Sequence, residues 1–230
     1  MTVWFGSTTA ALGLGNAAET LAREELERAQ RFRLEDDRRR YLASRTLLRH
    51  ALSHAIDGAV APADWQFGVL PTGKLIKAPG FPAITFNIAH SGDAVAVAVS
   101  RDGEVGIDLE EMNANLPPPL DDVLTSVERS WLGGVPRERL RGAFITLWCA
   151  KEACAKALGL GVALEFERIG IDPAYLQVHC SPDVLPAGHR LRLDLRHVAA
   201  GGRWYCLSAA KLKPGNARLA VRYEYLPEAA

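Results

Sequence analysis

A strand, a tight turn and a second strand that ends in acid place the firmest constraint on this chain. Ala94 to Val99 is a short apolar β-type run, Asp102-Gly103 is a strong turn dipeptide, and Val105-Gly106-Ile107-Asp108-Leu109-Glu110 alternates apolar with small or acidic residues. The pattern predicts a hairpin ending in acid. Residues two apart on a strand share a face, so Asp108 and Glu110 point together while Ile107 and Leu109 enter the core. Two carboxylates on one face suit a hard cation, and a single magnesium site is the first hypothesis. A solvated edge strand would carry the same acids, so the neighbouring segments decide. Asp108 is expected to be an exposed acid that contributes to cation placement more than to packing.

Downstream, Phe144, Leu147, Trp148, Ala155 and Leu158 recur at helical spacing and mark a buried stripe. Glu152 and Lys156 lie one turn apart on this helix, Trp148 lies one turn before Glu152, and Gly159 and Gly161 supply a stop signal. A surface Glu-Lys pair would look the same. Upstream, Phe86-Asn87-Ile88-Ala89-His90-Ser91-Gly92 reads as a strand ending in a polar turn. His90 can donate to a phosphate, and backbone N–H groups near Ser91 and Gly92 can help to cradle one. The competing reading of His90 is a hydrogen-bonded structural residue.

From Arg23 to Arg49 the chain is rich in arginine, whose rigid fork of donors suits phosphate. The run is interleaved with Glu24, Glu25, Glu27, Glu35, Asp36 and Asp37, so most of these arginines are expected on a solvated helix face. The 27 basic and 27 acidic residues, together with this interleaving, argue against nucleic-acid binding. The first residues, Met1 to Gly6, read as an opening strand without a basic leader, and no apolar run is long enough to span a membrane. Cys149, Cys154, Cys180 and Cys206 form no Cys-x-x-Cys unit and are expected as reduced thiols. A cytoplasmic monomer is the expectation.

The coarse organisation is a first half with an opening strand, a helical region over Arg31 to Ile56 and strands around Trp65–Leu70, Thr85–Ser91 and Ala94–Glu110. The second half has helices around Val123–Leu132 and Arg139–Leu158, then strands around Phe166–Ile171, Arg190–Val198, Trp204–Ala209 and Leu219–Tyr225. Gly201-Gly202 is expected to turn the last hairpin. Pro117-Pro118-Pro119 breaks regular structure and marks a connector over 113–119. The expected fold is α+β, with halves 1–112 and 120–230, each a helix packed on a mixed or antiparallel sheet, and a cleft at their junction.

Three segments in order, Phe86 to Gly92, Gly106 to Glu110, and Trp148 to Lys156 followed by Gly159-Leu160-Gly161, make the chain resemble the 4'-phosphopantetheinyl transferases. The resemblance is to the broad-specificity bacterial type with two pseudo-twofold half-domains, and it covers most of the chain. It implies that Asp108, Glu110 and Glu152 hold magnesium against the pyrophosphate of coenzyme A. It also implies that His90 touches a phosphate, that Lys151 and Lys156 lie beside the reacting phosphate, and that Lys74 and Arg40 bind the adenosine 3'-phosphate and base. Family lysines have a counterpart in Arg28. Two departures stand out: Ala89 replaces a frequent Ser, and Thr72-Gly73-Lys74-Leu75 replaces a Tyr-Gly-Lys-Pro segment.

The implied reaction moves the 4'-phosphopantetheine arm of coenzyme A to a serine of an apo acyl or peptidyl carrier protein and releases adenosine 3',5'-bisphosphate. Glu152, or a water it holds, accepts the serine proton, and the carrier docks near Leu120 to Leu132 through hydrophobic contacts. The carrier could serve fatty-acid, polyketide or nonribosomal peptide synthesis. A coenzyme A or nucleotide-binding regulatory module and a different magnesium-dependent phosphoryl transferase are the alternatives.

Overall fold

The computed structural model describes residues 1–70, 74–114, 123–160, 166–215 and 218–228. Thr72, Gly73, Pro117 to Pro119, Leu120 and Gly161, singled out above, lie outside these. The elements in chain order are β1 (Thr2–Ser7), α1 (Thr8–Leu12), α2 (Ala17–Thr20), α3 (Arg23–Ala29), α4 (Glu35–Ala55), β2 (Phe67–Val69), β3 (Leu75–Lys77), β4 (Thr85–Ser91), β5 (Ala94–Ser100) and β6 (Val105–Glu111). Then follow α5 (Ser126–Gly133), α6 (Arg137–Leu158), β7 (Ile169–Asp172), β8 (Gln177–Cys180), β9 (His189–Ala200), β10 (Arg203–Pro214) and β11 (Arg222–Tyr225). The fold is α+β.

Two sheets stack between two long helices. The first has the order β11-β1-β5-β4, mixed because β11 runs parallel to β1; the second is antiparallel, in the order β6-β10-β9. The sequence of β5, Ala-Val-Ala-Val-Ala-Val, explains the stacking. Val95, Val97 and Val99 pack with Leu47, Leu48, Ala51 and Leu52 of α4, whereas Ala94, Ala96 and Ala98 face Ile107 and Leu109 of β6 and Leu207 of β10. Small side chains on that face let the sheets approach. On the far side, Phe144, Leu147, Ala150 and Cys154 of α6 pack with Ile169, Ile171 and Leu191.

The helix termini follow their local chemistry. Glu35, Asp36 and Asp37 occupy the first turn of α4, where negative charge complements the helix dipole. Gly159 caps α6 in the left-handed conformation, at φ 71°. Gly201 and Gly202, at φ 54° and 73°, turn β9 into β10.

The expected hairpin is not formed. Asp102-Gly103 does turn, with Gly103 at φ 124°, but β5 remains in the first sheet while β6 pairs with β10 in the second. The turn is held by its partners on β10: Asp102 pairs with Lys211 and, at 3.7 Å, with Lys213, and the Leu212 N–H donates to Glu104 O at 2.9 Å. These ion pairs tie the turn to β10, which takes up β6 along Val105 to Glu111. The hydrogen bond from Lys211 to Asp102 holds that carboxyl down at about 2. α1, α2, α3, β3 and β8 are also additions to the expected elements, and α4 starts at Glu35 where the expectation began at Arg31.

β6 lies before the expected connector, yet it belongs to the sheet of β9 and β10; β11 lies after it, yet it pairs with β1. Each sheet therefore borrows a strand from the other part of the chain. Alternation on β6 sends Val105, Ile107 and Leu109 toward the first sheet and turns Gly106, Asp108 and Glu110 toward α6. At Gly106 the helix lies directly on the strand. A Cβ there would stand 2.0 Å from Ala153 O and 2.4 Å from Ala157 N, both backbone atoms. Gly106→Ala should therefore force the two elements apart and destabilise the protein by roughly 1–3 kcal/mol or more, read as a lower urea midpoint at unchanged slope.

Candidate active site

The contact at Gly106 brings one face of α6 beside the acids of β6. Lys156 Nζ lies 2.6 Å from Asp108 Oδ1. Asp108 is 5% exposed, so it is a buried acid where the sequence reading expected an exposed one, because the helix covers it. Its second oxygen, Oδ2, is buried with no hydrogen-bond partner among the described residues. Glu110 accepts at both oxygens, from Ser91 Oγ at 3.1 Å and from Trp148 Nε1 at 3.2 Å. Glu152, half-buried, projects from α6 one turn before Lys156.

These charges perturb one another. Burial pushes the Glu110 carboxyl up, reinforced by the charge of Asp108 and opposed by the hydrogen bonds from Ser91 and Trp148. Burial likewise pushes Glu152 up, with Asp108 adding and Lys156 opposing. For Lys156, burial acts to lower the pKa, but Asp108 and Glu152 outweigh it and hold the ammonium above its ordinary range. Three acids thus share one cation.

Lys156 also reaches outward. It lines a cleft of about 440 Å³ together with Arg40, Tyr41, Lys74 and His90, between α4, β4 and the C-terminal end of α6. Arg40 is steadied by Asp37 and by Gly92 O at 3.1 Å, and Lys74 faces Glu104 at 3.5 Å. The packing around His90, followed by the charges of Arg40 and Lys156, holds its imidazole below the usual histidine range. Arg28 is exposed on α3, with its guanidinium 5.7 Å from the centre of the Tyr41 ring, at the cleft rim.

Two of the expected site residues turn their side chains away from the cleft. Lys151 is fully buried and faces away from the cleft, paired with Glu128 at 2.6 Å and donating to Val123 O at 2.7 Å and Phe166 O at 3.1 Å. Burial lowers its pKa and Glu128 opposes the shift. The same Glu128 caps α5, accepting the Thr125 N–H, and also accepts the Ile171 N–H. Lys151 is therefore a structural hub that ties α6 to α5 and β7, and its ammonium does not line the cleft. Ser91 turns its hydroxyl to Glu110, while its neighbour His90 faces the cleft, as alternation on a strand requires.

The sequence reading missed other parts of the site. Asp37, Tyr41, Ser44 and Arg45 line the cleft from α4 beside the expected Arg40, and their spacing of three and four residues was the signal. Arg49, expected on a solvated face, is 1% exposed: it grips Glu25 and donates to the Pro62, Ala63 and Trp65 carbonyls. Among the described residues, no three His, Cys, Asp or Glu side chains are gathered closely enough to hold a metal ion. No helix of the described residues is long and apolar enough to cross a membrane, and all four cysteines are unpaired.

Comparison with known proteins matches the chain to one family. The 4'-phosphopantetheinyl transferase superfamily matches residues 104–183, and the N-terminal region of a 4'-phosphopantetheinyl transferase matches residues 10–102. The 4'-phosphopantetheinyl transferase HetI of Nostoc sp. is 32% identical over 177 residues, which are 71% of this chain and 72% of the relative. The chain belongs to the 4'-phosphopantetheinyl transferase superfamily. A 4'-phosphopantetheinyl transferase of Bacillus subtilis is 30% identical over 72% of this chain and 71% of its own length. A crystal structure of a holo-(acyl-carrier-protein) synthase from Bacillus anthracis, in complex with CoA (3',5'-ADP), aligns at TM-score 0.39 and 24% identity over 49% of this chain and 96% of that chain. As a 4'-phosphopantetheinyl transferase the chain is an enzyme that moves the phosphopantetheine arm of coenzyme A to an apo-carrier protein.

Lys151 gives this assignment a clean control. Replacing it with Met strands a buried Glu128 carboxylate, so thermal or urea unfolding should show a loss of about 3–5 kcal/mol. Coenzyme A affinity of the folded variant, measured by calorimetry, should match the parent.

Proposed function

We propose that the cleft lined by Arg40, Lys74, His90 and Lys156 binds the phosphates of coenzyme A, and that Asp108, Glu110 and Glu152 act on the phosphoryl group that changes hands. The observation that carries this reading is the double position of Lys156, which pairs with Asp108 and also lines the basic cleft. A phosphate in the cleft would therefore lie next to the acids. Arg40 offers a bidentate fork, while Lys74 and Lys156 offer point charges. Because Lys156 is held in its charged form, it can stabilise negative charge on the transferring phosphoryl oxygens.

Asp108, Glu110 and Glu152 are not gathered around one point as they stand, but their chemistry suits a magnesium ion: they are hard oxygen donors, and Asp108 Oδ2 is buried without a partner among the described residues. When bound, the ion would neutralise pyrophosphate charge. Glu152, one turn from Lys156, is placed to take the serine proton directly or through a water; a bound cation would lower its pKa and make the carboxylate a poorer base, so the water route carries equal weight. The products would be the holo-carrier and adenosine 3',5'-bisphosphate. Exposed Val127 and Trp131 of α5 offer apolar contacts for an acyl or peptidyl carrier domain, and the broad-specificity resemblance favours carriers of secondary metabolism. The free cysteines suit a reducing, cytoplasmic setting.

The test is to incubate the protein with coenzyme A, magnesium and a panel of apo-carriers and to weigh the intact carriers. Glu152→Gln should retain coenzyme A binding by calorimetry while the phosphopantetheine mass increment disappears; transfer at the parent rate across pH and magnesium concentration would remove Glu152 from the chemistry. A second expectation concerns pH. The free His90 imidazole lies below its ordinary pKa, and an anionic phosphate beside it would raise that pKa, so binding takes up a proton. Coenzyme A affinity should then strengthen as pH falls from about 8 to 6, around the ordinary histidine range. In His90→Ala this slope should flatten.

A further inference from the structure

Ser91 stands where β4 meets β6, and its hydroxyl is used twice. Its proton goes to Glu110 Oε2 at 3.1 Å, and its oxygen accepts the Glu111 N–H at 3.0 Å. A serine hydroxyl has one proton to give, so this geometry leaves none for a phosphate. The other oxygen of Glu110 takes the indole N–H of Trp148 at 3.2 Å. Glu110 is therefore gripped from both sides, by β4 through Ser91 and by α6 through Trp148.

The strand junction supports the same role. β4 and β6 belong to different sheets, and side chains take the place of ladder bonds between them: Asn87 Oδ1 accepts the Ile107 N–H at 3.1 Å, and Ser91 Oγ repeats the bond four residues on, at the same sequence offset. Two rungs fix the register of the acid strand. Packing is close just beyond, where a Cβ on Gly92 would meet Glu111 Oε2 at 2.4 Å. Sliding or tilting of β6 at this point is thus resisted on two counts.

We infer that Ser91 is a positioning residue for Glu110, setting that carboxylate's orientation as a metal ligand, and that its hydroxyl makes no contact with the phosphates of coenzyme A. This rests on the reading of Glu110 as a magnesium ligand. Partners that orient a ligating carboxylate are typically worth about 10–100-fold in metal affinity.

The experiment uses the whole chain and three variants, Ser91→Ala, Ser91→Thr and Glu110→Gln. Binding of Mn2+, as a paramagnetic stand-in for magnesium, is followed by electron paramagnetic resonance with coenzyme A present. Coenzyme A affinity is measured separately by calorimetry in chelator. Ser91→Ala should weaken Mn2+ binding by about tenfold or more, raise the magnesium needed for half-maximal transfer, and leave metal-free coenzyme A affinity as it was. Ser91→Thr, which keeps the hydroxyl, should recover the metal affinity. Weakened metal-free coenzyme A binding with unchanged Mn2+ affinity would make Ser91 a phosphate contact and overturn the inference. So would a Ser91→Ala protein that loses both affinities together with thermal stability and is not rescued by Ser91→Thr. Glu110→Gln separates the levels: if it binds Mn2+ like the parent, the magnesium reading itself fails, whereas a weakened Glu110→Gln beside an unaffected Ser91→Ala removes the Ser91 role alone.

Discussion

The close approach of α6 to β6 at Gly106 is the contact on which the site depends. A helix normally rests on a sheet through a layer of side chains; here the backbone atoms Ala153 O and Ala157 N occupy the space that a side chain would need. That approach allows Lys156 to reach Asp108 at 2.6 Å and Trp148 to reach Glu110 at 3.2 Å. It also accounts for the burial of the acids and for the upward push on Glu110 and Glu152. A wider spacing would admit water and relax those perturbations, because the Coulomb coupling of the groups weakens as the local dielectric rises.

Lys151 and Lys156 show how one helix separates structure from chemistry. Five positions apart, they project about 140° from each other around the axis. One side chain enters the core and meets Glu128; the other reaches the cleft and meets Asp108. Both are buried ion pairs in part, yet their surroundings set opposite outcomes. Burial prevails at Lys151 and lowers its pKa, while the surrounding carboxylates prevail at Lys156 and raise it.

Much of this could be read in the sequence, and the limits have physical causes. Alternation on β6 and the helical stripe of α6 were visible because each follows a fixed period, and those two periods locate Asp108, Glu110, Glu152 and Lys156. Residues 102–104 turn as expected, but a turn dipeptide carries no information about whether the flanking strands pair with each other. That outcome rests on β10, far along the chain, which takes up β6 over Val105 to Glu111 and meets Asp102 through Lys211 and Lys213. The role of Lys151 was hidden for a similar reason, since Glu128 comes from another element and a Lys-Glu doublet looks alike in a core and in a cleft. The polar face of α4 was present in the spacing of Asp37, Arg40, Tyr41, Ser44 and Arg45, but the abundance of neighbouring acids masked it. β3 and β8, at three and four residues, are too short for alternation to register.

The exchange of β6 and β11 between the sheets bears on how the chain reaches this state. β1 cannot gain its parallel neighbour until Thr2 meets Arg222, and the acid strand cannot complete its sheet until β10 arrives. Contacts of such long sequence separation place closure of both sheets late on the folding route and slow it, since the chain entropy of loop closure is lost before the contacts compensate. Neither part of the chain completes either of the two stacked sheets on its own. A ribosome-bound or proteolysed fragment ending before β10 would therefore present β6 as an unpaired edge carrying three adjacent-register acids, Asp108, Glu110 and Glu111, whose mutual repulsion discourages the edge-to-edge association that exposed strands otherwise invite.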